Sequence, residues 1–265
     1  MNLPALLTAE VKRSWIEFRR YPVDAVSTII VLSMFFLGLV LGARSIAGVR
    51  GPMNPQVAGG ALVGFLMWFY GIAAVMGIAG DVTREAQVGT LEQVYLSPFG
   101  PPLILIFRQI ASLIVVTIMI VGIAAICMLI TKARLQWHLQ QTIPLLLVTM
   151  VGLYGLGLIL GGLALVFKRV QNLLMIVQFA LLFVTMAQVE RTTGALRIFV
   201  ATFPLSQGTG MIRMISQGRT NLARLASNGD VAILIVSSLA YLLVGLTMYR
   251  ILDASARKRG LVGHY

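Results

Sequence analysis

Between two long apolar runs lies a polar stretch, Asp81-Val-Thr-Arg-Glu85-Ala-Gln-Val-Gly89-Thr90-Leu91-Glu92-Gln-Val-Tyr95-Leu-Ser-Pro98-Phe-Gly-Pro-Pro102. It holds three of the nine acidic residues in the chain. Helical spacing over 82–97 puts Glu85, Gly89 and Glu92 on one stripe, at i, i+4 and i+7, beside an apolar stripe of Val88, Leu91 and Tyr95. Pro98 and the Gly100-Pro-Pro102 cluster end that helix. A helix with one acidic and one apolar stripe, laid across the ends of two spans, is shaped to dock a partner. Gly89 removes a side chain where a partner's backbone would approach. A solvated loop with scattered acids is the plain alternative.

Nothing in the chain assembles a catalytic site. There are two histidines, His138 and His264, and neither neighbours a carboxylate or cysteine in sequence. The Gly-x-Ser-x-Gly elbow, metal-ligand spacings and a Gly-x-x-x-x-Gly-Lys-Ser/Thr phosphate loop are all missing from the sequence. Cys127 lies inside an apolar run and reads as a packing residue. No catalytic residue, metal ligand or bound cofactor is therefore expected. Polar side chains inside the apolar runs are few: Gln109, Thr117, Thr149, Tyr154, Gln178 and Gln188. Of these, Gln178 and Tyr154 are the candidates to line a substrate path. For Gln178, an inter-helix hydrogen bond is an equal alternative.

The elements that must position these residues are membrane spans. The chain is 58% hydrophobic and only 11% charged, with a mean hydropathy of +0.90, whereas soluble domains run near 25% charged. Apolar runs near 23–43, 57–80, 103–130, 143–167, 172–189 and 231–252 predict six spans. The first is too long for a cleaved signal and reads as a span that stays. In the third, Arg108 lies one to two turns from the start, placed to snorkel to water. No charge is predicted at mid-span, which argues against an ion-coupled carrier.

The net charge of +12 reads as span-flanking Lys and Arg and not as a nucleic-acid surface. With both termini inside, Lys12, Arg13, Arg19, Arg20, Arg84, Arg108, Lys168, Arg169, Arg250, Arg257, Lys258 and Arg259 face the cytoplasm. Outside remain Arg44, Arg50, Lys132, Arg134 and the arginines of the long 190–230 segment, which counts least in the rule. Both termini are therefore expected in the cytoplasm of a multi-pass cell (inner) membrane protein. Residues 3–20 place Leu3, Leu7, Val11, Ser14 or Trp15, and Phe18 at helical spacing, the pattern of a helix in the headgroup plane. The segment 190–230 is apolar over 196–203 and 211–215, which predicts short helices dipping back into the outer leaflet. Gly38-x-x-x-Gly42, Gly60-x-x-x-Gly64 and Gly157-x-x-x-Gly161 permit close helix approach, within one chain or across a dimer.

Glu85-x-x-x-Gly89-Thr90-Leu91-Glu92-Gln93, followed by Leu96-Ser97-Pro98, resembles the signature of the ABC-2 family of ABC-transporter permeases. The similarity continues in the amphipathic start, in Gly161-Gly162-Leu-Ala-Leu-Val-Phe-Lys168-Arg169 and in Phe203-Pro204-Leu205. The resemblance implies an all-α integral membrane protein forming a single ABC-2 transmembrane domain over 1–265. Residues 1–22 would be the interfacial helix, 81–102 the coupling loop and 190–230 the external re-entrant segment. It further implies that Glu85, Gly89, Thr90 and Glu92, with Val88, Leu91 and Tyr95, contact a separate ABC ATPase subunit, which would bind ATP and magnesium. The permease itself would be a non-catalytic homodimer or heterodimer exporting an amphipathic or lipid-like substrate, most similar to the drug and antibiotic exporter branch. An ATP-independent secondary transporter and a structural subunit of a membrane complex are the alternatives.

Overall fold

The structure, a computed structural model, describes residues 3–46, 48, 54–88, 100–167, 170–186 and 202–258. They form helices only: α1 (Leu3–Arg20), α2 (Pro22–Ile46), α3 (Pro55–Val88), α4 (Pro101–Thr131), α5 (Leu139–Val166), α6 (Gln171–Met186), α7 (Pro204–Ser216), α8 (Leu222–Ser227) and α9 (Asp230–Lys258). Proline opens α2, α3, α4 and α7, where its fixed φ suits a first turn and its missing N–H costs no hydrogen bond. Lys132, in the left-handed region, closes α4. The Asn221 side chain accepts from the Arg224 N–H and starts α8.

Five helices, α2, α3, α4, α5 and α9, are long and apolar enough to cross a membrane, so the protein is a multi-pass, all-α membrane protein. α6, expected to span over 172–189, is described as an apolar helix of 16 residues. Side-chain pairings fix the directions. Tyr70 meets Thr117, Gly77 meets Gln109 and Glu85 meets Arg108, so α3 and α4 are antiparallel. Gly71, Ala74 and Ile78 follow Leu153, Gly157 and Gly161, so α3 and α5 are parallel. α6 runs against α3, because the Trp68 indole donates to the Gln178 carbonyl and Thr185 lies beside Gly64.

α5 is the hub, and glycine makes it so. A Cβ on Gly155 would collide with the backbone of Tyr241 and Leu242, and one on Gly245 with the Gly155 carbonyl. Gly152 meets Pro204 and Ser238, and Gly162 meets Tyr249 and Leu252. The order of these pairs makes α5 and α9 parallel, packed nearly backbone to backbone as small residues in apolar spans allow. On its other side Gly157 and Gly161 seat against Ala74 and Ile78 of α3.

One expectation about a connecting segment is corrected. Residues 82–88 do not begin a separate helix across the span ends, because α3 continues through Val88; 82–88 contains no glycine or proline to break it. Residues 89–99, which include Gly89, Thr90, Leu91, Glu92 and Tyr95, lie outside the described residues, as does 190–201. From the remainder of the 190–230 segment come α7 and α8. α7 is not superficial. Its Leu205 packs on Gly71 and its Arg213 reaches Gly60, so it starts beside the middle of α3 and runs back to the first turns of that helix. Nine of its residues are buried, Pro204, Leu205, Met211 and Ile215 among them.

These crossings generate a direct comparison. Gly245→Leu should lower the unfolding midpoint of the purified protein in detergent, on the scale of about 1–3 kcal/mol or more for overpacking. Gly38→Leu, where an added Cβ meets nothing within 4 Å, should leave that midpoint nearly unchanged.

Candidate functional site

The last two turns of α3 carry Asp81 and Glu85 one helical turn apart, on one face. α4, antiparallel, presents Arg108 and Gln109 from its second and third turns to that face. α1 lies against this corner and contributes Glu10. The Arg108 Nη1 donates to Glu85 Oε1 at 3.0 Å and lies 3.8 Å from Asp81 Oδ2, while its Nε stands 3.7 Å from Glu10 Oε2. Gln109 Nε2 donates to Asp81 Oδ2 at 3.0 Å, and Arg84 Nη2 pairs with Asp81 Oδ1 at 2.7 Å. Gly77 is required here, since any Cβ would collide with the Gln109 carboxamide. Beside the cluster opens a cavity of about 200 Å³ with Glu10, Glu17, Asp81, Arg84 and Arg108 in its lining.

Burial decides which of these pairs matter. The side chains of Arg108, Glu10, Asp81 and Glu85 are only 8–13% exposed, so their charges are mutually dependent. Removing one partner from such a set leaves an uncompensated buried charge. Arg84 and Glu17, 3.7 Å apart, are each more than half exposed, where an ion pair contributes little. Arg108 does not snorkel to water as its position in the span predicts. Three carboxylates converge on it, and α1 covers it.

The other end of α3 has its own buried cation. Arg213 of α7 donates through Nε to the Gly60 carbonyl at 3.0 Å and through Nη2 to the Thr185 carbonyl at 2.8 Å. Burial lowers its pKa from the ordinary arginine value. Between Gly60 and Asp81 no residue of α3 is charged. At 1.5 Å per residue that interval spans about 30 Å, the thickness of a bilayer's hydrocarbon core.

Of the expected site residues, Glu85 sits in the buried cluster and Val88 is exposed at the end of α3. Gly89, Thr90, Leu91, Glu92 and Tyr95 lie outside the described residues. Gln178 and Tyr154 are not brought together by any described contact. Gln178 is half-buried and its backbone carbonyl accepts from Trp68, whereas the Tyr154 hydroxyl is buried with no hydrogen-bond partner among the described residues. Sequence reasoning missed Glu10, Gln109 and Arg213. A signal existed for Glu10, which lies one turn beyond Leu6, so an acid follows an apolar residue onto the docking face of α1; both are buried.

Comparisons with protein-family models, with curated proteins and with solved structures give no match. The resemblance to ABC-2 permeases accordingly rests on the residues quoted for it.

The cluster makes a graded prediction. Arg108→Ala should destabilise the purified protein by roughly 3–5 kcal/mol, the cost of orphaning a buried charge set, against less than about 1 kcal/mol for Glu17→Ala, which removes a pair exposed on both sides. Glu10→Ala should loosen α1, seen as faster tryptic cleavage after Lys12 and Arg13, while Glu17→Ala should not change that rate.

Proposed function

We propose that the chain is the permease subunit of an ATP-driven ABC exporter of the ABC-2 type. It forms the membrane pathway for an amphipathic or lipid-like substrate and is driven by a separate ATPase subunit. One observation carries this reading beyond the motif. In sequence, the segment Gly89-Thr90-Leu91-Glu92 follows Val88, three residues after Glu85, and precedes Pro101, seven residues before Arg108. Its two roots are bolted to each other and to α1 by the buried charge cluster. A force applied to that segment is delivered to α1, α3 and α4 together.

In this reading α6 is the fifth of six crossings. Its antiparallel run along α3, from beyond Val166 to the level of Gly64, supports that count, and so does the parallel pairing of α5 with α9. Even-numbered spans then share a direction, and both termini fall at the cluster end. That end also holds Lys12, Arg13, Arg19, Arg20, Arg84, Arg257 and Lys258, the basic surplus expected of the cytoplasmic face. α7, which enters only half the depth of the bundle, fits the external re-entrant helix. Two copies, or one with a related partner, would enclose the path. An ion-coupled carrier lacks support, since among the described residues no carboxylate lies in the middle of a span.

The test uses membranes containing the chain with and without a co-expressed ABC ATPase. Glu92→Ala and Gly89→Leu are the informative variants, because Glu85 is also part of the fold. Each should cut transport-coupled ATP hydrolysis by roughly tenfold or more, the scale of an interface anchor, with the unfolding midpoint unchanged. ATP hydrolysis by the chain alone, or uptake driven by an ion gradient without any ATPase, would sink the proposal.

A further inference from the structure

At the Gly60 end, the link between α4 and α5 meets the turn between α7 and α8. The Gln136 N–H donates to the Ser216 carbonyl at 3.0 Å, and the Leu222 N–H donates to Gln141 Oε1 at 2.9 Å. Gly218, at φ +69°, makes the turn possible and sits against the Gln136 carboxamide. The two tied segments enclose a cavity of about 360 Å³ lined by Gln136, His138, Gln141, Arg219, Asn221 and Arg224, with no carboxylate in the lining. Among the described residues, neither the Arg219 nor the Arg224 guanidinium makes a hydrogen bond or ion pair.

Three further observations fix the chemistry of an occupant. The cavity is level with the first turn of α3, because Gln217 Nε2 donates to the Gln56 carbonyl, so it stands where the uncharged interval of α3 ends. Trp137, in the same link, is half exposed, as tryptophans at the headgroup level are. Leu139, Ile143 and Leu147 of α5 form an exposed apolar stripe at i, i+4 and i+8 on the flank of that helix away from Gln141, so the start of α5 offers an apolar face to its surroundings. A cationic, amide-rich pocket at the level where apolar helix faces begin is complementary to the anionic head of a lipid. In the orientation proposed above, on which this one point rests, the pocket faces away from the cytoplasm. Basic side chains are not needed there for topology.

We infer that this pocket binds the phosphate headgroup of an anionic phospholipid, with Arg219 and Arg224 as the phosphate ligands. Guanidinium groups match phosphate oxygens in fork geometry. His138 and the Gln136, Gln141 and Asn221 amides surround the head with further polar groups.

Native mass spectrometry of the purified full chain tests this without any ATPase, so its failure leaves the exporter proposal standing. Protein equilibrated with equal phosphatidylglycerol and phosphatidylcholine should retain phosphatidylglycerol selectively. The double variant Arg219→Ala/Arg224→Ala should lose that retention by about tenfold or more, the scale of one charge-assisted hydrogen bond. Lys132→Ala/Arg134→Ala, at the same end but outside the lining, should retain it. Equal retention of the two lipids overturns the inference, as does retention unaffected by the double variant. Displacement of the lipid by low-millimolar inorganic phosphate overturns the lipid assignment in favour of a free-phosphate site. All these side chains are exposed, and unchanged unfolding midpoints would establish that the variants fold.

Discussion

Moving a guanidinium or a carboxylate from water into an apolar bundle costs several kcal/mol unless a partner is waiting for it. α3 meets that constraint at both ends. Asp81 and Glu85 share Arg108 at one end, and the Gly60 carbonyl takes Arg213 at the other. The uncharged interval between them is one hydrocarbon core long. Helices α4 and α1 are secured at the first site, and α6 and α7 at the second. α5 and α9 are placed mainly by shape, through glycines that let main chains touch.

The two sites differ in kind. At Arg213 a cation donates to main-chain carbonyls of α3 and α6 and adds no demand for an acid. At Arg108 the balance is reversed, because three carboxylates compete for one guanidinium and Asp81 needs Arg84 and Gln109 as well. Such a set holds together only while α1, α3 and α4 keep their present spacing. It rigidifies the corner from which residue 89 departs.

Much of this was legible in the sequence. The long apolar runs locate five spanning helices to within a few residues, since length and hydropathy dominate in a bilayer. The proline starts are equally readable. What could not be read is which side chains meet. Arg108 looks like a snorkelling residue when α4 is considered alone, because nothing in its own helix offers a carboxylate. Only the antiparallel register with α3 brings Glu85 within 3.0 Å. The same holds for Gly155 and Gly245, which lie outside the small-residue spacings that stand out by eye. Register between helices is a property of two segments together, and pattern within one segment does not carry it.

The polar stretch at 81–102 illustrates the division of labour that results. As one stripe, Glu85, Gly89 and Glu92 look equivalent, three positions on a surface offered to a partner. The structure separates the first of them. Glu85 is turned inward to Arg108 and is 13% exposed, so it belongs to the foundation of the segment. A position that looks like one of three equivalent contacts is thus part of the buried set that holds α1, α3 and α4 together, and the stripe on its own segment cannot show whether an acid faces a partner or a neighbouring helix.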